Sequence, residues 1–75
     1  MKAYILIGLE GKNERNMIDE LKSHPEVKHA YILFGEWDLI VEVEVRNPDD
    51  LGTFVVDKLR SNPHIKLTSS LIVAG

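Results

Sequence analysis

The sequence predicts an α+β fold in which strands and helices follow one another in the order βαββαβ. Four runs rich in β-branched and aromatic residues indicate the strands, and two segments with apolar side chains at helical spacing indicate the helices. In addition, the segment LKSHPEVK, which begins at Leu21, is repeated as LRSNPHIK from Leu59. This internal repeat indicates that the chain is built from two βαβ halves.

The first half begins with a strand over Lys2–Leu9, which ends at a turn marked by Gly11. Asn13 follows, and asparagine is a residue type that caps helices. The next residues carry apolar side chains at positions 17, 18 and 21, so that one face of a helix is apolar. Pro25 ends this first helix.

The second half begins with two strands, residues 27–34 and residues 38–45, joined by Gly-Glu-Trp at the spacing of a hairpin. Asn47 then supplies a cap and Pro48 the first position of a second helix. The apolar face of this helix comprises Leu51, Phe54, Val55 and Leu59. An Asn-Pro pair ends the helix, and residues 65–74 are predicted to form strand four.

Two split βαβ halves build a ferredoxin-like sandwich, a four-stranded antiparallel sheet with both helices on one face. In strand three, alternation predicts that Leu39, Val41, Val43 and Val45 face the helices. Other strands carry apolar residues that we predict on the uncovered face: Tyr4, Leu6, Ala30, Ile32 and Phe34. Because exposed apolar patches mark interaction surfaces, we expect this sheet face to pack on a second copy, as a homodimer.

Composition excludes several classes of protein. The 75 residues are expected to form one domain, residues 1–75, and they include no cysteine, which favours a reducing cytoplasm. A net charge of −3 offers no attraction to a phosphate backbone, so nucleic acid is not an expected direct partner. The apolar N-terminal run is too short to span a membrane and lacks a signal-peptide cleavage site.

Other chemistries find no support in the residues. The three histidines are scattered along the chain, so neither a metal site nor a cofactor is expected. The Gly-Leu-Glu-Gly run at positions 8–11 lacks the spacing and the lysine of a phosphate-binding loop. RNA-recognition domains share the βαββαβ order, but they need a basic sheet with stacking aromatic residues, and strand three carries acids instead.

The turn Gly35-Glu36-Trp37-Asp38 carries the clearest candidate site. It has an ordinary interpretation, in which glycine and aspartate simply form a hairpin turn. However, Trp37 would expose a large apolar side chain at the tip unless a ligand or a neighbouring chain covers it. The two carboxylates could hold an ammonium group, while free backbone N–H groups could receive a carboxylate. These two demands together describe a zwitterionic amino acid.

Three hydroxyl residues, Thr68, Ser69 and Ser70, interrupt strand four. They are either adaptable side chains on a half-exposed strand or ligand-orienting groups in a mostly apolar pocket. From the internal repeat we predict that they lie opposite residues 31–33 of strand two, so that both segments could line one cleft.

The segments VKHAYILFGEWDLIVEVEV and FVVDKLRSNPHIKLTSSLIVA resemble the effector-binding domain of the Lrp/AsnC, or feast/famine, transcription regulators. The most specific matches are Gly35 and Asp38, in a G-x-x-D motif, and the hydroxyl run 68–70. The resemblance implies a ferredoxin-like domain that dimerises through its sheets, forms rings of dimers and binds amino acids between dimers. It assigns the ligand's charged ends to residues 35–38 and the pocket walls to Ile32, Thr68, Ser69 and Ser70.

Full-length members of that family carry a helix-turn-helix domain before this unit, whereas strand one begins here at Lys2. The chain therefore resembles the stand-alone forms of the domain, which would sense an amino acid or modulate a full-length regulator without touching DNA. Three rival functions stay open. An ACT-like sensor would bind its ligand near residues 8–11, an enzyme of the dimeric α/β-barrel type would use Asp38 or a histidine, and an assembly domain would have a vestigial pocket.

Overall fold

The computed structural model describes residues 1–11 and 13–75, and it has the predicted βαββαβ order. The elements are β1 (Lys2–Leu9), α1 (Glu14–Lys22), β2 (Val27–Ile32), β3 (Leu39–Glu44), α2 (Pro48–Phe54), a π-helical continuation of α2 (Val55–Arg60) and β4 (Ile65–Ile72). The four strands form one antiparallel sheet in the order β2-β3-β1-β4. The predicted ferredoxin-like fold is confirmed.

The core lies between the sheet and the two helices. Register pairs Ala3 with Val43 and Ile5 with Val41, so that apolar residues of the two central strands stand side by side. The residues that are fully enclosed are Ala3, Ile5, Ile7, Leu39, Val41, Val43 and Leu59. Alternation in strand three therefore predicted the helix-facing side correctly, because a sheet with one covered face buries every second residue.

The two helix starts differ from each other. At α2, the Asn47 side chain accepts a hydrogen bond from the Asp50 backbone N–H at 2.8 Å, and Pro48 occupies the first helical position, as predicted. At α1, Asn13 makes no side-chain capping bond, and its backbone carbonyl accepts from the Met17 N–H at 3.0 Å. The predicted asparagine cap is therefore confirmed only for α2.

A bulge in β2 reverses the predicted orientation of that strand. Val27 pairs with Val43 and His29 pairs with Glu42, so Lys28 is an extra residue without a partner in β3. An extra residue shifts the alternation by one and moves the following side chains to the other face. The β2 residues that face the helices, contrary to the prediction, are Ala30 and Ile32.

At the far end of the sheet, the Met1 amino group lies 2.7 Å from Glu44 Oε2. This hydrogen bond is the main reason that the pKa of Glu44 lies below its ordinary value. The positive charges of the amino group, Lys2 and Lys28 lower the pKa further, whereas desolvation of the carboxylate acts in the opposite direction. Because the folded pKa is lowered, the stabilisation is present above the ordinary glutamate pKa of about 4.3 and is lost as pH falls through the lowered value.

We therefore expect an N-terminal Gly-Ser extension, which moves the amino group away, to raise the pKa of Glu44 towards its ordinary value. The measurement is a carboxyl NMR titration of both forms of the protein. An unchanged Glu44 titration in the extended protein would contradict this assignment.

Candidate functional site

The connection between β2 and β3 is a six-residue loop, residues 33–38, rather than the three-residue hairpin turn that the sequence predicted. Its ends are joined by a hydrogen bond from the Leu33 N–H to the Asp38 carbonyl at 2.8 Å. Gly35 has a φ of +151°, a conformation that side-chain-bearing residues rarely adopt. Glycine at this position therefore allows the chain to reverse inside the loop.

Asp38 fastens this loop to β1. Its Oδ2 accepts a hydrogen bond from the Leu9 backbone N–H at 2.7 Å, and its own N–H donates to the Ile7 carbonyl at 3.0 Å. A carboxylate bonded to a backbone N–H is a strong, charge-assisted contact. One carboxylate oxygen of Asp38 is thus committed to the fold, and Oδ1 accepts no hydrogen bond from the described residues.

The exposed aromatic residue of the loop is Phe34, not Trp37. The Phe34 side chain is fully exposed, at 109% of its reference area, whereas Trp37 is half-buried. Trp37 was expected to be exposed at the tip unless a ligand or a neighbouring chain covered it, but the chain itself covers part of this side chain. The reason is that β2 ends at Ile32 rather than at Phe34, so Leu33 and Phe34 belong to the loop, which begins earlier in the chain than the predicted Gly-Glu-Trp turn.

Trp37 borders a cleft of about 190 Å³ between the loop and the paired ends of β1 and β4. The residues that line this cleft are Gly8, Glu36, Trp37, Asp38, Lys66 and Leu67. Three of the eight predicted site residues are therefore brought together there. Gly8 and Lys66 were missed because no strand order was predicted for the sheet, and it is this order, together with a bulge at Lys66, that brings the end of β1 and the start of β4 beside this loop.

The hydroxyl residues of β4 do not form one surface. Thr68 pairs with Ile7 and Ser70 with Ile5, which places both on the helix side, whereas Ser69 pairs with Leu6 on the open side. None of the three lines the cleft. The prediction of three hydroxyls in one pocket overlooked strand alternation.

The predicted juxtaposition of β2 and β4 is wrong within one chain. These strands are the two edges of the sheet, separated by β3 and β1, which corresponds to about 14 Å at the usual spacing between strands. Ile32 lies at the end of β2 and is 41% exposed. The repeat correctly identified two similar halves, but a pseudo-symmetric sheet puts equivalent strands on opposite edges.

Residues 2–74 match the Lrp/AsnC ligand binding domain family. The chain belongs to this family. The family is a ligand-binding domain of transcription regulators, and the resemblance inferred from the G-x-x-D loop is confirmed over the whole fold. Across the described residues, no group of three acidic, histidine or cysteine side chains could hold a metal, and no helix there is long and apolar enough to cross a membrane.

Several known proteins are similar to this Lrp/AsnC domain. An uncharacterised HTH-type transcriptional regulator of Pyrococcus abyssi is 32% identical over 73 residues, covering 93% of this chain and 49% of its own. Among solved structures, hypothetical protein PHS023 from Pyrococcus horikoshii is 41% identical, with a TM-score of 0.90, and the match covers 97% of this chain and 88% of that one. FFRP-DM1 is also 41% identical, with a TM-score of 0.92 and 97% of both chains covered. The chain spans about half the length of the curated relatives it matches.

Proposed function

We propose that this Lrp/AsnC domain binds a free amino acid in the cleft beside the 35–38 loop, and that binding alters how copies of the chain assemble. The observation that carries the proposal is the cleft itself, where the half-buried Trp37 and the apolar Leu67 lie beside the charged side chains of Glu36 and Lys66. Ligand pockets typically combine apolar walls with a few polar groups that fix orientation.

The acidic side of the cleft suits the ammonium group of such a ligand. Glu36 is exposed, and its carboxylate makes no ion pair with a described residue. Asp38 contributes Oδ1, since only Oδ2 is bonded to β1. A ligand ammonium between these groups would gain charge-assisted hydrogen bonds without displacing any contact of the fold.

Assembly is proposed to use the open face of the sheet, which the helices leave uncovered. Tyr31, Leu67 and Leu71 are each more than half exposed there, and Leu6 and Ile40 lie between them across the sheet. Contiguous apolar surface of this kind usually marks an interface. We propose a homodimer through this face, a higher ring of dimers, and co-assembly with full-length Lrp/AsnC regulators whose matching half has the same fold.

The test is light scattering coupled to gel filtration, with each of the twenty common amino acids, while Trp37 fluorescence is followed. We expect a small subset to shift the Trp37 emission and the assembly mass. Glu36→Gln should weaken that response about tenfold or more, because it removes the charge that faces the ammonium. Glu26→Gln is the matched control, since Glu26 borders a different hollow near α2.

An oligomer that ignores all twenty amino acids would refute the sensor function and leave a domain that only mediates assembly. An equal loss of affinity in Glu36→Gln and Glu26→Gln would show that general charge, rather than the cleft, governs binding.

A further inference from the structure

A bulge at the start of β4 presents Lys66 to the cleft. Gly8 pairs with Leu67 and Leu9 pairs with Ile65, so Lys66 is an extra residue with no partner in β1. Bulges redirect a side chain away from the regular alternation, and they are over-represented next to functional sites. The bulge explains how a residue between two paired positions comes to border the same cleft as Trp37.

Lys66 is exposed, and it makes neither an ion pair nor a side-chain hydrogen bond with any described residue. Among the described basic residues, Lys28 donates to a backbone carbonyl and Arg46 pairs with Asp50, whereas Lys66 is one of several that make no such contact, and it is the one that lines the cleft. The Lys66 ammonium group is thus available to an external anion, in a chain whose net charge of −3 otherwise disfavours anions.

Gly8 leaves space beside Lys66 in the cleft. Its φ is not positive, and a β-carbon built there would lie 3.5 Å from the Leu67 Cβ, which is an ordinary contact. The backbone therefore does not require glycine, although glycine weakens a strand interior. What glycine does at this position is leave the surface of the cleft open between Lys66 and the loop.

We propose that Lys66 binds the α-carboxylate of the ligand and that the cleft therefore selects amino acids over the corresponding amines and amides. This inference rests on the proposed function. The cleft carries opposite charges in Glu36 and Lys66, so a zwitterion can satisfy both, whereas a ligand without a carboxylate leaves the Lys66 ammonium unpaired. Lys66 thereby determines specificity for the ligand's charged ends, while Trp37 and Leu67 contact its side chain.

The experiment compares each amino acid that binds in the fluorescence titration with its α-carboxamide, for instance L-leucine with L-leucinamide, using the full chain. Wild-type protein is expected to bind the acid about ten- to hundredfold more tightly than the amide, since a charge-assisted bond is lost. Lys66→Met should remove this preference, and Lys66→Arg should retain most of it. Arg60→Met is the matched control, because Arg60 shares a neighbouring hollow with Lys66 but does not line the cleft.

The outcomes separate the two proposals. If no amino acid binds the wild-type protein, both the proposed function and this inference fail. If amino acids bind but acid and amide bind equally, or Lys66→Met keeps the preference, only the assignment of Lys66 is overturned. If Arg60→Met loses the preference as completely as Lys66→Met, the carboxylate lies in the neighbouring hollow and the assignment is again overturned.

Discussion

Replacing Asp38 with alanine is expected to lower the free energy of unfolding by about 2 kcal/mol, the range for a hydrogen bond to a charged group. The substitution removes the acceptor for the Leu9 N–H at 2.7 Å and leaves that donor unpaired, in a residue that is only 6% exposed. It also releases the loop from β1, so the fluorescence of Trp37 should change. Urea unfolding followed by circular dichroism measures the first effect and emission spectra measure the second.

Two further variants make this prediction specific. Asp38→Asn keeps an acceptor oxygen and loses only the charge, so it should cost about half as much. Asp19→Ala removes an exposed carboxylate of α1 that makes no hydrogen bond with a described residue, and it should change stability by less than about 0.5 kcal/mol. Equal stability of Asp38→Ala and Asp19→Ala would show that the hydrogen bond between Asp38 and Leu9 contributes nothing to stability.

The role of Asp38 affects how ligand experiments are interpreted. Loss of an amino-acid response in Asp38→Ala could follow from a displaced loop as readily as from a lost contact with the ligand. Glu36 is exposed, and its side chain makes no hydrogen bond or ion pair with a described residue, so Glu36→Gln tests the proposed binding site with little effect on the fold. The hydrogen bonds of Asp38 make it a residue that positions the loop, and its second oxygen remains for the proposed ligand.

The sequence was sufficient for those parts of the fold that depend on regular periodicity and local capping. Alternation in strand three identified the buried positions from Leu39 to Val45, and the Asn47-Pro48 pair identified the start of α2. Prediction from the sequence failed wherever one extra residue altered the register of a strand. The extra residue Lys28 reverses the faces on which the following side chains of β2 lie. Periodicity contains no signal for such an insertion, because the residue that a bulge leaves unpaired is chemically ordinary.

The candidate site, like the fold, was predictable only where local sequence patterns determine it. The turn chemistry of residues 35–38 was visible in the sequence, and three of these residues line the cleft. Their neighbours across the cleft, Gly8 and Lys66, depend on the antiparallel pairing of β1 with β4 and on the bulge at Lys66. Such long-range pairings follow from topology rather than from any local pattern, so they emerged only with the folded sheet.

The open face of the sheet gives the other large expected effect, on assembly rather than on folding. Leu71→Glu should weaken self-association at least about hundredfold, because a carboxylate buried against a second sheet loses its hydration without gaining a partner. Leu71 pairs with Tyr4 on the open face and is 52% exposed in the single chain, so the variant should remain folded. Gel filtration with light scattering should then give the 8.5 kDa monomer where the wild-type protein gives at least twice that mass.

Val56→Glu is the matched control for this effect. Val56 is 56% exposed, but it lies in the π-helical continuation of α2, on the helical side of the molecule. Both variants add one negative charge to an already acidic chain, so any difference between them reports the surface and not the net charge. If Val56→Glu dissociates the oligomer and Leu71→Glu does not, the interface is formed by the helices, and the prediction is wrong. Dissociation by Leu71→Glu alone would show that the apolar residues of the open face form the contact between copies. Leu67 belongs to this face and also lines the cleft beside Trp37, so the proposed ligand would then lie next to that contact.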